Sequence, residues 1–225
     1  MKAGAHPAFI SYPPKAAYGR SIAKSKIYEH GGTNSRLKEL FVRQVEQIVW
    51  QYKLAPETIN LPGRPGVPEI QVFSILAKTK DLEHDVLHCI DKAVQYPIIF
   101  EVVHGDRIRV SACYKRLNES DAARWVLSEY FTTDWISSDE IRAPMPQALD
   151  LASLYEQLLY RLMPFKARPQ EPLRDLVDRA DQVRTIQREI VSIEARLVRE
   201  AQFNRKVEIN AALRRLKSEC EKLTN

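Results

Sequence analysis

Apolar residues recur every three or four positions along the last third of the chain. Val183, Ile186, Ile190, Ile193 and Leu197 fall on one helix face, the spacing of a coiled-coil seam. A second set, Val207, Leu213, Leu216, Cys220 and Leu223, continues the pattern after a change of phase at Gln202-Phe203-Asn204-Arg205-Lys206. The periodicity predicts one helix from about Leu173 to Ala201 and another beyond it. A turn at Asn204 would let the two fold back as an antiparallel hairpin. Without a turn, one long helix would bury its seam by dimerising. The pattern favours a hairpin or a kink.

The first two thirds of the chain mix both periods. Residues 1–23 are rich in Pro, Ala and Gly and predict an irregular arm with one short extended piece. Leu37, Leu40, Phe41, Val45, Ile48, Val49 and Tyr52 predict a helix over Ser35–Tyr52, capped by Thr33 or Asn34. A stiff Pro- and Gly-rich loop ends at Gly66. Ile70–Ala77 alternates with both faces largely apolar, which predicts a central strand. Leu82–Ala93 has helical spacing. Ile98–Val103 and Ile108–Tyr114, joined at His104-Gly105-Asp106, predict a hairpin. The Trp125–Ile136 region reads as one or two further strands, for example Ala123–Leu127 and Tyr130–Trp135, and Leu151–Leu162 as a helix. This order predicts an α/β (α+β) fold: a small mixed sheet with flanking helices, plus a C-terminal helical hairpin or coiled coil. The expected domains are a mixed body over 1–163, a Pro-rich linker over 164–172 and a helical region over 173–225.

Composition narrows the function classes. The chain has 225 residues, 44% hydrophobic and 28% charged, with a net charge of +5. No apolar run reaches membrane-spanning length, and Pro7, Pro13, Pro14, Lys15 and Arg20 interrupt any leader-like stretch. Three widely spaced cysteines suit a reducing cytoplasm better than a disulfide frame. Between Phe165 and Asn225 there are 14 basic and 10 acidic residues, so most of the positive excess sits on the helical tail. Arg205, Lys206, Arg214, Arg215 and Lys217 are the densest basic cluster and the candidate nucleic-acid contacts. Glu208, Glu219 and Glu221 are spaced to neutralise them, as on any solvated helix face.

Catalytic signatures are missing. Phosphate-cradling glycine motifs and the Gly-x-Ser-x-Gly elbow do not occur. His84 and His88 stand four apart on a predicted helix, as in a helical metal pair, but no third ligand is near in sequence. Glu69, Glu101 and Lys78 have the outline of a metal-dependent nuclease site. Leu76, however, stands two before Lys78, where a metal-binding carboxylate is needed. Trp50, Trp125 and Trp135 are expected to serve the core or an interface. No catalytic residue, metal ligand or cofactor is predicted.

Several stretches resemble a known family. Tyr12-Pro13-Pro14, the segment Ile22 to Glu29, and the run from Val45 through Trp50-Gln51-Tyr52-Lys53-Leu54-Ala55-Pro56-Glu57-Thr58-Ile59-Asn60 are similar to the prokaryotic domain of unknown function 4391. So are Glu69-Ile70-Gln71-Val72-Phe73 and Gln202 to Asn210. Members often carry a carboxylate in the strand after Gln-Val-Phe, where this chain reads Ser74-Ile75-Leu76-Ala77-Lys78. The resemblance implies a companion of helicases and DNA methyltransferases in restriction-like, anti-phage gene clusters. The expectation is therefore a non-enzymatic adaptor in the cytoplasm, docking on such a partner. Ile186, Ile190, Ile193 and Leu197 are the expected partner-binding residues, and contact with DNA and self-association are further expectations. A metal-dependent nuclease with a degenerate site, or a DNA-binding adaptor using the basic tail, are the alternatives.

Overall fold

The structure, a computed structural model, describes residues 5–121 and 124–225. It divides into two compact units, Met1–Leu162 and Met163–Asn225.

The first unit is built on a mixed sheet. Its strands are β2 (Ala17–Ser21), β3 (Val45–Leu54), β4 (Ile70–Ala77), β5 (Ile98–His104), β6 (Arg107–Leu117) and β7 (Trp125–Thr132), adjacent in that order. Strand β8 (Ile136–Ser137) also pairs with β6. The β4–β5 pair is parallel and the other pairs are antiparallel. The parallel pair requires a crossover, which α4 (His84–Ala93) supplies. A separate parallel ribbon joins β1 (His6–Ser11) to β9 (Arg142–Pro144). The remaining helices here are α1 (Lys24–His30), α2 (Ser35–Gln44), α3 (Pro56–Ile59) and α5 (Leu151–Tyr160).

Strand alternation divides the core. Phe73, Ile75 and Ala77 of β4, with Phe100 and Val102 of β5, pack with Phe41 of α2 and Val86 and Ile90 of α4. Each of these side chains apart from Ala77, once buried, contributes roughly 1.5–3 kcal/mol. Ile70 and Val72 alternate to the opposite face and are fully buried.

Two expectations need correction. The helix expected over Ser35–Tyr52 stops at Gln44, and β3 begins at Val45. Val45 and Ile48 continue the helical spacing of Leu40 and Phe41, but β-branched and aromatic residues from there on pair with β4 in the sheet. The supposedly irregular arm contains β1, a 3-10 turn at Pro14–Ala16 and β2. Of the one or two strands expected in the Trp125–Ile136 region, one long strand, β7, runs from Trp125 to Thr132; Ala123 lies outside the described residues.

The second unit is an antiparallel pair, α6 (Leu173–Arg199) and α7 (Phe203–Thr224). Arg179 donates to the Leu223 carbonyl at 2.5 Å, and Lys217 pairs with Glu194 at 2.8 Å. These contacts fix the antiparallel direction, which is the expected hairpin. The turn falls at residues 200–202, ahead of Asn204, which is already helical. Arg179 is 5% exposed. It also grips Glu171 at 2.6 and 2.7 Å and the Lys166 carbonyl at 3.1 Å. The Pro-rich segment is thereby tied to the hairpin, and α7's last carbonyls gain a cation.

Candidate functional site

Trp50 lies in β3 opposite Phe73 of β4, and Phe73 lies opposite Phe100 of β5. This aromatic row reaches the β2 edge, where Tyr18 stacks on Trp50 at 4.2 Å and Arg20 covers Tyr18 at 4.7 Å. Beside Trp50 opens a pocket of about 480 Å³ between α1, the sheet and the segment after α4. Ile22, Phe73 and Tyr96 contribute apolar walls, while Lys26, His30 and Gln71 contribute polar groups. The indole N–H is already spent on the Tyr52 carbonyl at 2.9 Å, which leaves the ring itself for contact.

Gln71 shares the Phe73 face of β4 and is 4% exposed. Its Nε2 donates to Glu69 Oε1 at 2.6 Å. A carboxylate offers acceptors, so Glu69 fixes which end of the amide points away. Lys53 reaches Glu69 at 3.4 Å and Glu57 at 2.6 Å.

The pocket wall at Val94–Tyr96 is held from behind by a buried lysine. Lys115 Nζ donates to the carbonyls of Asp91 at 2.6 Å, Tyr96 at 3.2 Å and Val94. It is 1% exposed, as is Asp91. Asp91 Oδ2 accepts from the Tyr130 hydroxyl at 2.5 Å and from the Cys113 thiol at 3.5 Å. Its Oδ1 takes no hydrogen bond and lies 3.8 Å from Lys115 Nζ. Burial pushes the Asp91 carboxyl up to about 6 against the pull of Lys115 and the two hydrogen bonds. Burial likewise lowers the Lys115 ammonium. A β-bulge between Cys113 and Lys115 is bridged by Tyr155 of α5, whose hydroxyl donates to the Cys113 carbonyl and accepts from the Lys115 N–H.

The residues of the nuclease outline are not brought together. Glu69 precedes and Lys78 follows the eight-residue β4, which separates them by about 30 Å. Glu101 faces away from Phe73, on the side of the β1–β9 ribbon. There Arg142 holds both its oxygens, at 2.7 and 2.8 Å, and also donates to the Ile10 carbonyl at 2.7 Å. Lys78 donates to the Val42 carbonyl at 2.8 Å. His84 stands against Tyr130, and burial lowers His88. Among the described residues no three His, Cys, Asp or Glu side chains converge on a metal position.

The expected partner-binding residues lie in the hairpin's seam. Ile186 is buried, and Ile190, Ile193 and Leu197 are half-buried. Ile209 and Leu213 are the buried residues of α7, and Val207, expected in the seam, is 54% exposed. The α7 seam runs Lys206, Ile209, Leu213, Leu216, Cys220, Leu223, at steps of three and four.

One residue past the seam lies a second apolar stripe. Val191 follows Ile190, Val198 follows Leu197, and Val207 follows Lys206; Phe203 is one turn before Val207. Each step rotates about 100° in the same sense. Antiparallel packing brings these two flanks to the same side. Val191, Val198, Phe203 and Val207 are 66%, 84%, 77% and 54% exposed. Arg188, Arg199 and Arg214 border them, all exposed. The five basic candidates do not share a face. Arg205 and Arg215 project elsewhere than Arg214, Lys206 is half-buried in the seam, and Lys217 is paired with Glu194. Seam periodicity drew attention from the offset valines; their signal was apolar residues left over after the seam is assigned.

The model of the family described as "Domain of unknown function (DUF4391)" matches residues 10–219. The chain belongs to this family. No curated protein and no solved structure matches it. No helix among the described residues is long and apolar enough to cross a membrane.

Proposed function

We propose that this DUF4391 protein is a non-enzymatic docking subunit of a bacterial restriction-like, anti-phage assembly, with a helicase or DNA methyltransferase as its partner. The observation that carries the reading is the stripe Val191, Val198, Phe203 and Val207, apolar and open at one end of a hairpin whose seam is already closed. Exposed apolar residues clustered inside a polar rim mark interaction surfaces. The rim here is Arg188, Arg199 and Arg214, so the matching partner face is apolar with carboxylates at its edge. Ile186, Ile190, Ile193 and Leu197 serve docking at one remove, by holding the two helices in register.

Co-expression with any helicase or DNA methyltransferase encoded beside it tests this. Affinity purification should recover one of them in stoichiometric amount. Val198→Glu and Phe203→Glu should each abolish recovery while circular dichroism stays unchanged. Recovery that survives both changes, or sedimentation showing the stripe buried in a homodimer, would overturn the reading.

A further inference from the structure

We propose that the pocket beside Trp50 binds a mononucleotide carrying an exocyclic amine, with an adenine nucleotide as the type ligand. Its volume of about 480 Å³ falls within the range of small-ligand sites, roughly 300–1,000 Å³. The Trp50 indole supplies a stacking surface for a base, backed on one side by Tyr18 at 4.2 Å. Such stacking accepts any planar heterocycle, so selectivity must come from a polar group.

Gln71 is that group. Its Nε2 is committed to Glu69, and its Oε1 makes no hydrogen bond among the described residues. Gln71 lines the pocket, so its amide oxygen is left to accept from water or from a ligand there. A base amine in the pocket supplies that donor. Amide reversal is opposed because it would set Oε1 against the Glu69 carboxylate.

The rim supplies charge. Lys26 and His30 lie one helical turn apart on α1, both exposed and both lining the pocket. Neither forms an ion pair among the described residues. A phosphate at the mouth, with the base against Trp50, meets these two residues. The opposite wall is fixed through Lys115, which holds the carbonyls of Val94 and Tyr96. The cavity is therefore pre-formed and does not have to be shaped by the ligand. The cations stand together at one side of the pocket and do not continue as a track, which favours a mononucleotide over a polymer.

Isothermal titration of the full chain with AMP, adenosine and inosine monophosphate tests this. AMP should bind saturably and quench tryptophan emission. Inosine monophosphate, in which a carbonyl replaces the amine, should bind several-fold more weakly. Lys26→Glu should weaken AMP by about five- to tenfold and leave adenosine unchanged. Lys26 is exposed, so folding is not at stake. Gln71→Met should erase the preference for AMP over inosine monophosphate. Absence of saturable AMP binding would overturn the proposal, and so would an AMP affinity indifferent to Lys26→Glu. An oligodeoxyadenylate that binds where AMP does not would overturn it in favour of a nucleic-acid groove.

Discussion

The two units differ in how their exposed apolar residues are grouped. The body buries charge: Asp91, Glu101 and Lys115 are at most 3% exposed. The hairpin buries Arg179 as well, but it gathers Val198 and Phe203, more than three-quarters exposed, on one flank, whereas the exposed Val42, Ile141 and Leu149 of the body stand on separate segments. Each choice costs free energy when taken alone. A buried charge loses hydration, and an exposed phenyl ring loses the gain that burial would bring. In the body the cost is offset within the unit, because Lys115 satisfies three carbonyls and Arg142 meets Glu101 with two hydrogen bonds. In the hairpin nothing within the unit offsets it. The contrast separates buried charges that are paired within their unit from an apolar stripe that the hairpin leaves uncovered.

The comparison breaks most easily at Lys115. Lys115→Met removes the only cation facing Asp91 among the described residues and strips donors from three carbonyls. Losing one partner of a buried pair costs about 3–5 kcal/mol. Urea unfolding should show that loss. Asp91→Asn added to Lys115→Met should recover part of it, since no unpaired charge then remains. A loss below about 1 kcal/mol would mean that the pair is not what fixes this wall.

Asp91 should also give the body a pH signature. Its folded value of about 6 lies above its ordinary 3.8, so between these values the folded chain holds the proton more tightly than the unfolded chain does. Stability from this group is fully present below about 3.8 and is lost as pH rises through about 6. The full change is on the order of 2–3 kcal/mol. Denaturation midpoints of the wild type, compared with Asp91→Asn, should differ in slope over that window. Parallel slopes would refute the assignment.

Legibility followed the range of the interactions. β4, the β5–β6 hairpin, α4 and α5 could be read because each period runs unbroken within its own segment. The spacing predicts helix over β3 because Val45, Ile48, Val49 and Tyr52 satisfy both periods, and only pairing with β4 decides between them. β9 has three residues and exists through β1, more than a hundred positions away. The Lys115–Asp91 pair joins a strand to a helix 24 positions earlier, and no local pattern announces such a contact. In the hairpin the seam was visible, but the offset stripe was not, because it becomes meaningful only once two helices face each other.

Two substitutions, one in the seam and one in the stripe, sharpen the comparison inside the hairpin itself. Leu213 is 8% exposed and Phe203 is 77% exposed. Truncating a buried leucine costs roughly 2–5 kcal/mol, and a two-helix seam sits at the low end because its flanks reach water. Leu213→Ala should therefore speed amide hydrogen exchange throughout α7. Phe203→Ser removes a larger side chain, yet surface changes of this kind shift stability by less than about 0.5 kcal/mol. Exchange in α7 should be unaltered by it, while partner recovery is lost. The two effects are dissociated because Leu213 is already covered within the chain and Phe203 is not. If Phe203→Ser accelerates exchange as much as Leu213→Ala does, the phenyl ring is supporting the hairpin, and the stripe is no docking surface.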